Sequence, residues 1–161
     1  MILRPTWRRS WRRRRMSRAG VWVLSLLLWT WGGTVYFLLE VAYKTIFGEP
    51  ERISWTMLVV AMLLTIAVER CGAELPWTCP LWLQALACAA LVTVVELGAG
   101  LLLNKLLGLD IWDYSHLPGN LCGQICPQFF LVWWVLCMAF IPIFDWMRYA
   151  VEGGERPKYY I

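Results

Sequence analysis

From Ala19 to Leu39 the chain carries no charged side chain. A run of that length meets the ~20 apolar residues that an α-helix needs to cross a hydrocarbon core of ~30 Å. It exceeds the ~7–15 apolar residues of a cleavable signal peptide, and no persuasive Ala-x-Ala cleavage site accompanies it, so it reads as a retained span. Composition extends the constraint to the whole chain. Hydrophobic residues make up 60% and charged residues 16% of its 161 positions, against ~45–50% and ~25% in soluble domains. An ordinary soluble fold is excluded, and beside four spans no soluble catalytic or ATP-binding domain fits.

The pattern predicts an all-α membrane protein of four transmembrane helices, over Val21 to Phe47, Ser54 to Glu69, Pro80 to Asn104 and Ile125 to Tyr149. The second span is short between Arg52 and Glu69, and snorkelling by Arg52 and Arg70 would let it cross. Gly48 to Ile53 and Lys105 to Gln124 then lie outside, with Arg70 to Cys79 as an inner loop. Residues 1–18 form an arm, 19–150 the bundle and 151–161 a tail. Trp22, Trp77, Trp82 and Trp146 fall near the inner interface and Trp55 and Trp112 near the outer one, as an aromatic belt requires. Trp29, Trp31, Trp133 and Trp134 read as packing or lipid contacts.

Eight arginines and no acid occupy the first eighteen positions, which leaves seven basic against eleven acidic side chains in the rest. Such an arm can bind nucleic acid phosphates, but ahead of an apolar run it is more simply a cytoplasmic flank that also attracts anionic headgroups. No nucleic-acid partner is expected. The length of the first span also speaks against a twin-arginine signal. Arg148, Arg156 and Lys158 supply a second basic cluster, so both termini are expected in the cytoplasm.

An ionisable residue inside a span costs roughly 2.5–3.5 kcal/mol on insertion scales and needs a reason. Glu40 lies about 10 Å from the outer end of the first helix and Glu96 about 12 Å from that of the third, at 1.5 Å per residue. The two carboxyls therefore reach similar depth in the outer half. Lys44 follows Glu40 at i+4, the favourable order for a helical ion pair. Either the group clamps the helices together or it forms a solute, ion or proton site. Ala85, Ala89, Thr93 and Gly100 share a face with Glu96, a stripe that suits close helix approach within the bundle or in a homodimer seam. Gly32, Gly33 and Tyr36 make the first helix a plausible partner. Asp145 with Arg148 at i+3 reads as a structural ion pair near the inner end, as does Glu69 beside Arg70.

From Tyr114 to Phe144 the only ionisable side chains of note are His116 and the thiols, a run longer than one span needs, and Pro118-Gly119 marks a break. A re-entrant turn would aim Asp113, Asn120 and Gln124 at the Glu40 and Glu96 layer, while Asp113 equally suits a cap or turn. His116, the lone histidine, reads as a surface loop residue, and no metal or other cofactor is expected. Cys122 and Cys126 would adjoin on a helix, but without a Cys-x-x-Cys the cysteines read mainly as small buried hydrophobes. No phosphate loop, nucleophile elbow or His-Glu-x-x-His helix is present, so no enzymatic activity is expected.

The block Trp112-Asp113-Tyr114-Ser115 with Pro118, Asn120 and Gly123-Gln124-Ile125-Cys126, followed by Trp133 or Trp134, Asp145, Arg148-Tyr149 and Glu155 to Tyr159, resembles one family. Gly33, Tyr36, Glu40, Glu96 and Gly100 add to the likeness. The family is that of the small bacterial ABC transporter permeases of the CmpB, or type IV, group. Two features depart from it: Arg52-Ile53-Ser54-Trp55-Thr56-Met57 stands where relatives carry Thr-His-Trp-Ser-Met, and Asp145 stands alone where they carry two acids. The resemblance implies a multi-pass protein of the bacterial inner membrane serving transport beside a separate ATPase subunit, although a ten-residue inner loop offers little for an ATPase to grip. The expected function is handling of a small solute or ion by Glu40, Glu96, Asp113, Asn120 and Gln124, in a chain that can self-associate. A non-transporting lipid-binding or scaffold role is the alternative, with an enzyme on lipid-linked substrates a lesser one.

Overall fold

The computed structural model describes residues 16–47 and 50–160, so most of the arginine arm and the role assigned to it lie outside the described residues. Four long helices form: α1 (Arg18–Phe47), α2 (Thr56–Glu74), α3 (Leu81–Gly100) and α4 (Pro127–Glu152). The last turns of α3 widen into a π-helical segment, Leu101–Leu106. A single 3-10 turn, Pro50–Arg52, follows α1. All four helices are long and apolar enough to cross a membrane.

Helix α2 continues five residues past the expected end. Its 19 residues, at 1.5 Å each, come within a few ångströms of a ~30 Å core. The charges taken as its boundary are accommodated inside the helix: Glu69 is buried against Arg148 and the Arg70 guanidinium lies over the Trp22 ring. The connection to α3 is correspondingly shorter than the expected Arg70 to Cys79 loop. At its start α4 also differs, because Pro127, placed in the first helical turn where its missing N–H costs nothing, sets the boundary.

Helix α2 packs between α1 and α3, and α4 lies against α3 and α2 while meeting α1 only along a thin seam. The buried face of α3 recurs at every fourth residue: Ala85, Ala89, Glu96 and Gly100 line the interior with Cys88 and Val92. This stripe is used within the chain and is not a free homodimer seam. The α1 glycines do not face it. Gly32 and Gly33 instead receive Thr65 and Met62 of α2, so close that a Cβ on Gly33 would lie 2.9 Å from the Met62 backbone. Outward faces carry exposed apolar side chains such as Leu27, Leu38, Val94, Leu131 and Val135, a surface suited to lipid rather than water.

At one end of the bundle Arg148 ties three helices together. It donates from Nε to Glu69 of α2 at 2.6 Å, from Nη1 to Glu152 at 2.5 Å, and from Nη2 to Ser25 of α1 at 2.8 Å. The expected Asp145 pairing is absent among the described residues, because the guanidinium fork reaches two carboxylates in better alignment. Asp145 instead accepts from the Tyr159 hydroxyl at 2.8 Å, and the Tyr160 carbonyl accepts from the Leu81 amide. The tail thus folds back onto the bundle and shares its end with the start of α1.

Several tryptophans also depart from the expected belt. Trp22, Trp55, Trp82 and Trp146 are exposed, but Trp77 and Trp112 are core residues. Among the deeper set, Trp29 donates to Glu69, Trp133 to Glu96 and Trp134 to the Trp82 carbonyl. Their polar ends find protein partners, in the interior for Trp133 and at the surface for Trp134.

Candidate functional site

The site is built on the Tyr36, Glu40 and Lys44 face of α1, where fourth-residue spacing aligns the three side chains. Lys44 Nζ lies 3.0 Å from Glu40 Oε1 and donates to the carbonyls of Arg52 and Ile111, both at 2.9 Å. All three ammonium protons are therefore engaged, and the side chain is only 3% exposed. The Tyr36 hydroxyl donates to the other Glu40 oxygen at 3.3 Å. From α3, Glu96 accepts the Trp133 indole N–H at 2.9 Å and the Tyr114 hydroxyl at 3.3 Å. Tyr36, the donor to Glu40, stacks at a tilt on Trp133, the donor to Glu96, with ring centroids 4.9 Å apart. Tyr36, Glu40, Tyr114, Glu96 and Trp133 make one continuous polar layer.

Above that layer the stretch between α3 and α4 forms an irregular loop without a re-entrant helix. Asn104, in the π-helical turn, pins its base: Oδ1 accepts the Ile111 amide at 2.7 Å, while Nδ2 donates to the Trp112 carbonyl and to Gln124 Oε1. The Trp112 indole donates to the Gln124 carbonyl. Gln124 is fully buried and packs onto Gly100, where any Cβ would overlap its amide. Asn120 spans its own turn, donating to the carbonyls of Ser115 and Leu117 and accepting the Gly123 amide. Cys122 sits at φ 56°, which breaks the helix that would have placed it beside Cys126. Asn120 and Gln124 are thus occupied in shaping the loop, and neither lines the cavity below.

Asp113 does line it. Its carboxylate accepts the Ser115 amide at 2.9 Å and the Ser115 hydroxyl at 2.8 Å, and these bonds hold its pKa below the ordinary aspartate value. Gly123, at φ 70°, passes so close that a Cβ there would lie 2.7 Å from Asp113 Oδ1. Burial foremost, then the charge of Glu96, pushes the Tyr114 phenol well above its ordinary value, so it remains a proton donor to Glu96.

The cavity between loop and helices has a volume of about 100 Å³. Glu40, Lys44, Asp113 and His116 supply its polar wall. Tyr43, Trp112, Tyr114 and Phe129 supply an aromatic one, in which Tyr114 stacks on Phe129 at 4.4 Å and Tyr43 meets the same ring edge-on at 6.0 Å. Beneath the polar layer a narrower apolar cavity lies between α1, α2 and α4, with Tyr36 and Trp133 in its wall. Glu96 does not line the upper cavity and is connected to it through Tyr114, which does. Among the described residues no three His, Cys, Asp or Glu side chains gather in a group able to hold a metal ion. Tyr36, Tyr43, Tyr114, Phe129 and Trp133 were not singled out as site residues from sequence; the fourth-residue spacing from Tyr36 to Lys44 is the signal that could have marked the first of them.

Four apolar helices enclosing polar side chains, with an apolar outer surface, define a polytopic membrane protein. Residues 15–152 match the model of the family described as "Putative ABC-transporter type IV". The chain belongs to that family. Neither the curated proteins nor the solved structures compared with it give a match.

Proposed function

We propose that this chain is the membrane-embedded subunit of a bacterial inner-membrane transport system and that it handles a small solute or ion in the cavity between α1 and the α3–α4 loop. The observation that carries this reading is the presence of both Glu40 and Asp113 on the wall of a space large enough for a solute, with the buried carboxyl of Glu96 linked to that wall through Tyr114. A purely structural clamp has no need of that space. The family supports a transport role, and with it a separate ATPase subunit as partner.

The test is a thermal-unfolding screen of the purified protein in mild detergent against small anions, cations and neutral polar solutes, repeated on Glu40→Gln and Glu96→Gln. At least one solute should stabilise the parent and lose that effect in both variants while their unliganded unfolding stays close to the parent's. Collapse of the fold in both variants, with no solute effect in the parent, would assign the carboxyls to helix clamping. Isolation from the native membrane should also recover a stoichiometric ATPase chain, and its reproducible absence would remove the coupling from the proposal.

A further inference from the structure

Resting on the solute-binding reading of the same cavity, we infer that its ligand class is a small monovalent organic cation, an alkylammonium or comparable amine. The charge of the lining is unequal, with the carboxylates of Glu40 and Asp113 set against the single ammonium of Lys44. That ammonium has no proton to offer, because Glu40 and the Arg52 and Ile111 carbonyls take all three. An anion entering the cavity would therefore meet two carboxylates and no free ammonium or guanidinium, with the His116 imidazole beside them. Arg52 and Lys105 do not line the cavity, and Arg52 is paired with Asp110 at 3.6 Å.

For a cation the same wall is favourable. Asp113 keeps lone pairs beyond those used by Ser115, since a carboxylate offers about four acceptor sites. The rings of Tyr43, Trp112, Tyr114 and Phe129 line the same space, and an ammonium within ~6 Å of a ring centroid is attracted by the face of the ring. Among the described residues no group of three His, Cys, Asp or Glu side chains gathers to hold a metal ion, whereas an organic cation can use the rings as well as the carboxylates. The cavity, of about 100 Å³ and partly open, has room for a small alkylammonium.

The experiment titrates the full chain in neutral detergent with ethylammonium and tetramethylammonium chlorides, followed by calorimetry and thermal unfolding. Sodium chloride, sodium acetate and tert-butanol serve as the inorganic, anionic and neutral controls, at matched ionic strength where charged. Saturable binding of at least one organic cation is expected, with a rise in unfolding temperature that none of the controls gives. Asp113→Asn and Phe129→Leu should each weaken that binding at least fivefold. Saturable binding of acetate or tert-butanol, or an equal effect of sodium, would overturn the cation class while leaving the cavity a solute site. If no organic cation binds here and no solute acts in the broader screen, both readings fall. Organic-cation binding unchanged in Asp113→Asn and Phe129→Leu would move the ligand elsewhere and overturn the inference.

Discussion

Trp133 of α4 gives its indole proton to Glu96 of α3 across 2.9 Å, in a contact buried from solvent on both sides. It is the shortest hydrogen bond Glu96 receives, and it couples the polar layer to the helix that carries Phe129. Replacing Trp133 with Phe keeps an aromatic ring against Tyr36 but removes the donor. Side-chain hydrogen bonds between membrane helices are worth about 0.6 kcal/mol on average and up to about 1.7. Burial of both partners puts this one toward the upper end, so Trp133→Phe should lower unfolding stability in detergent by about 1–2 kcal/mol. Glu96→Leu in the same assay should cost more than Glu96→Gln, which still accepts the bond.

Lys44 satisfies one carboxylate and two loop carbonyls at once, so its removal strands three acceptors. Lys44→Met should destabilise the protein by about 2–4 kcal/mol, somewhat less than a fully buried pair because Glu40 keeps some exposure. Glu40→Gln should cost less, since its amide oxygen still accepts from Lys44. A double-mutant cycle on the two residues would measure the coupling, and additivity within about 0.5 kcal/mol would mean that the pair contributes nothing beyond its separate contacts.

The Glu40–Lys44 pair was legible in the sequence because fourth-residue spacing on a helix is a local rule, and the matched depth of Glu40 and Glu96 follows from helical rise alone. Arg148 was not, because its neighbour Asp145 competes with Glu69, seventy-nine positions away in the chain. Only tertiary packing brings that carboxylate near. Asn120 and Gln124 were noticed for their chemistry, but whether an amide faces a cavity or closes a turn depends on a loop path that positive φ angles at Gly119, Cys122 and Gly123 determine. The aromatic wall was hidden for a similar reason. In a chain with twelve tryptophans and six tyrosines, composition does not distinguish a lipid contact from a ring placed over a cavity.

That reach makes Arg148 a direct test. Arg148→Gln cannot reach Ser25, Glu69 and Glu152 together and should cost about 2–4 kcal/mol, in the range for breaking a largely buried ion pair. Glu152→Gln keeps an acceptor for Nη1 and should cost under about 1 kcal/mol. Chemical unfolding of both variants in detergent would show the order, and an equal or larger loss for Glu152→Gln would contradict the observed network.

Acid should loosen the loop through Asp113. Its folded-state pKa lies below the ordinary aspartate value because Ser115 hydrogen bonds favour the carboxylate. The stability this contributes is fully present above the unfolded value of about 3.9 and is lost as pH falls through the lower folded value. Unfolding temperature measured downward from pH 6 should therefore drop less steeply below about pH 4 in Asp113→Asn than in the parent. Identical acid limbs would show that the Ser115 bonds do not persist in solution.

Gly98 and Gly100 lie two positions apart near the end of the same helix and should respond oppositely to alanine. A Cβ on Gly98 meets nothing within 4 Å, so Gly98→Ala gains helix propensity and should stabilise by about 0.5–1 kcal/mol. A Cβ on Gly100 would run into the Gln124 side chain, whose Cβ would lie only 2.9 Å away. Gln124 has little freedom to yield, because its amide is held by Asn104 and the Cys122 carbonyl. Overpacking of this kind costs about 1–3 kcal/mol. Relief by moving Gln124 would also disturb Trp112, whose indole donates to the Gln124 carbonyl and whose ring walls the cavity. Gly100→Ala should therefore lower unfolding stability and weaken solute binding in the same variant. If it lowers stability alone, the loop relaxes without reaching the cavity wall. If it lowers neither, Gln124 does not occupy the position against α3 that shapes the site.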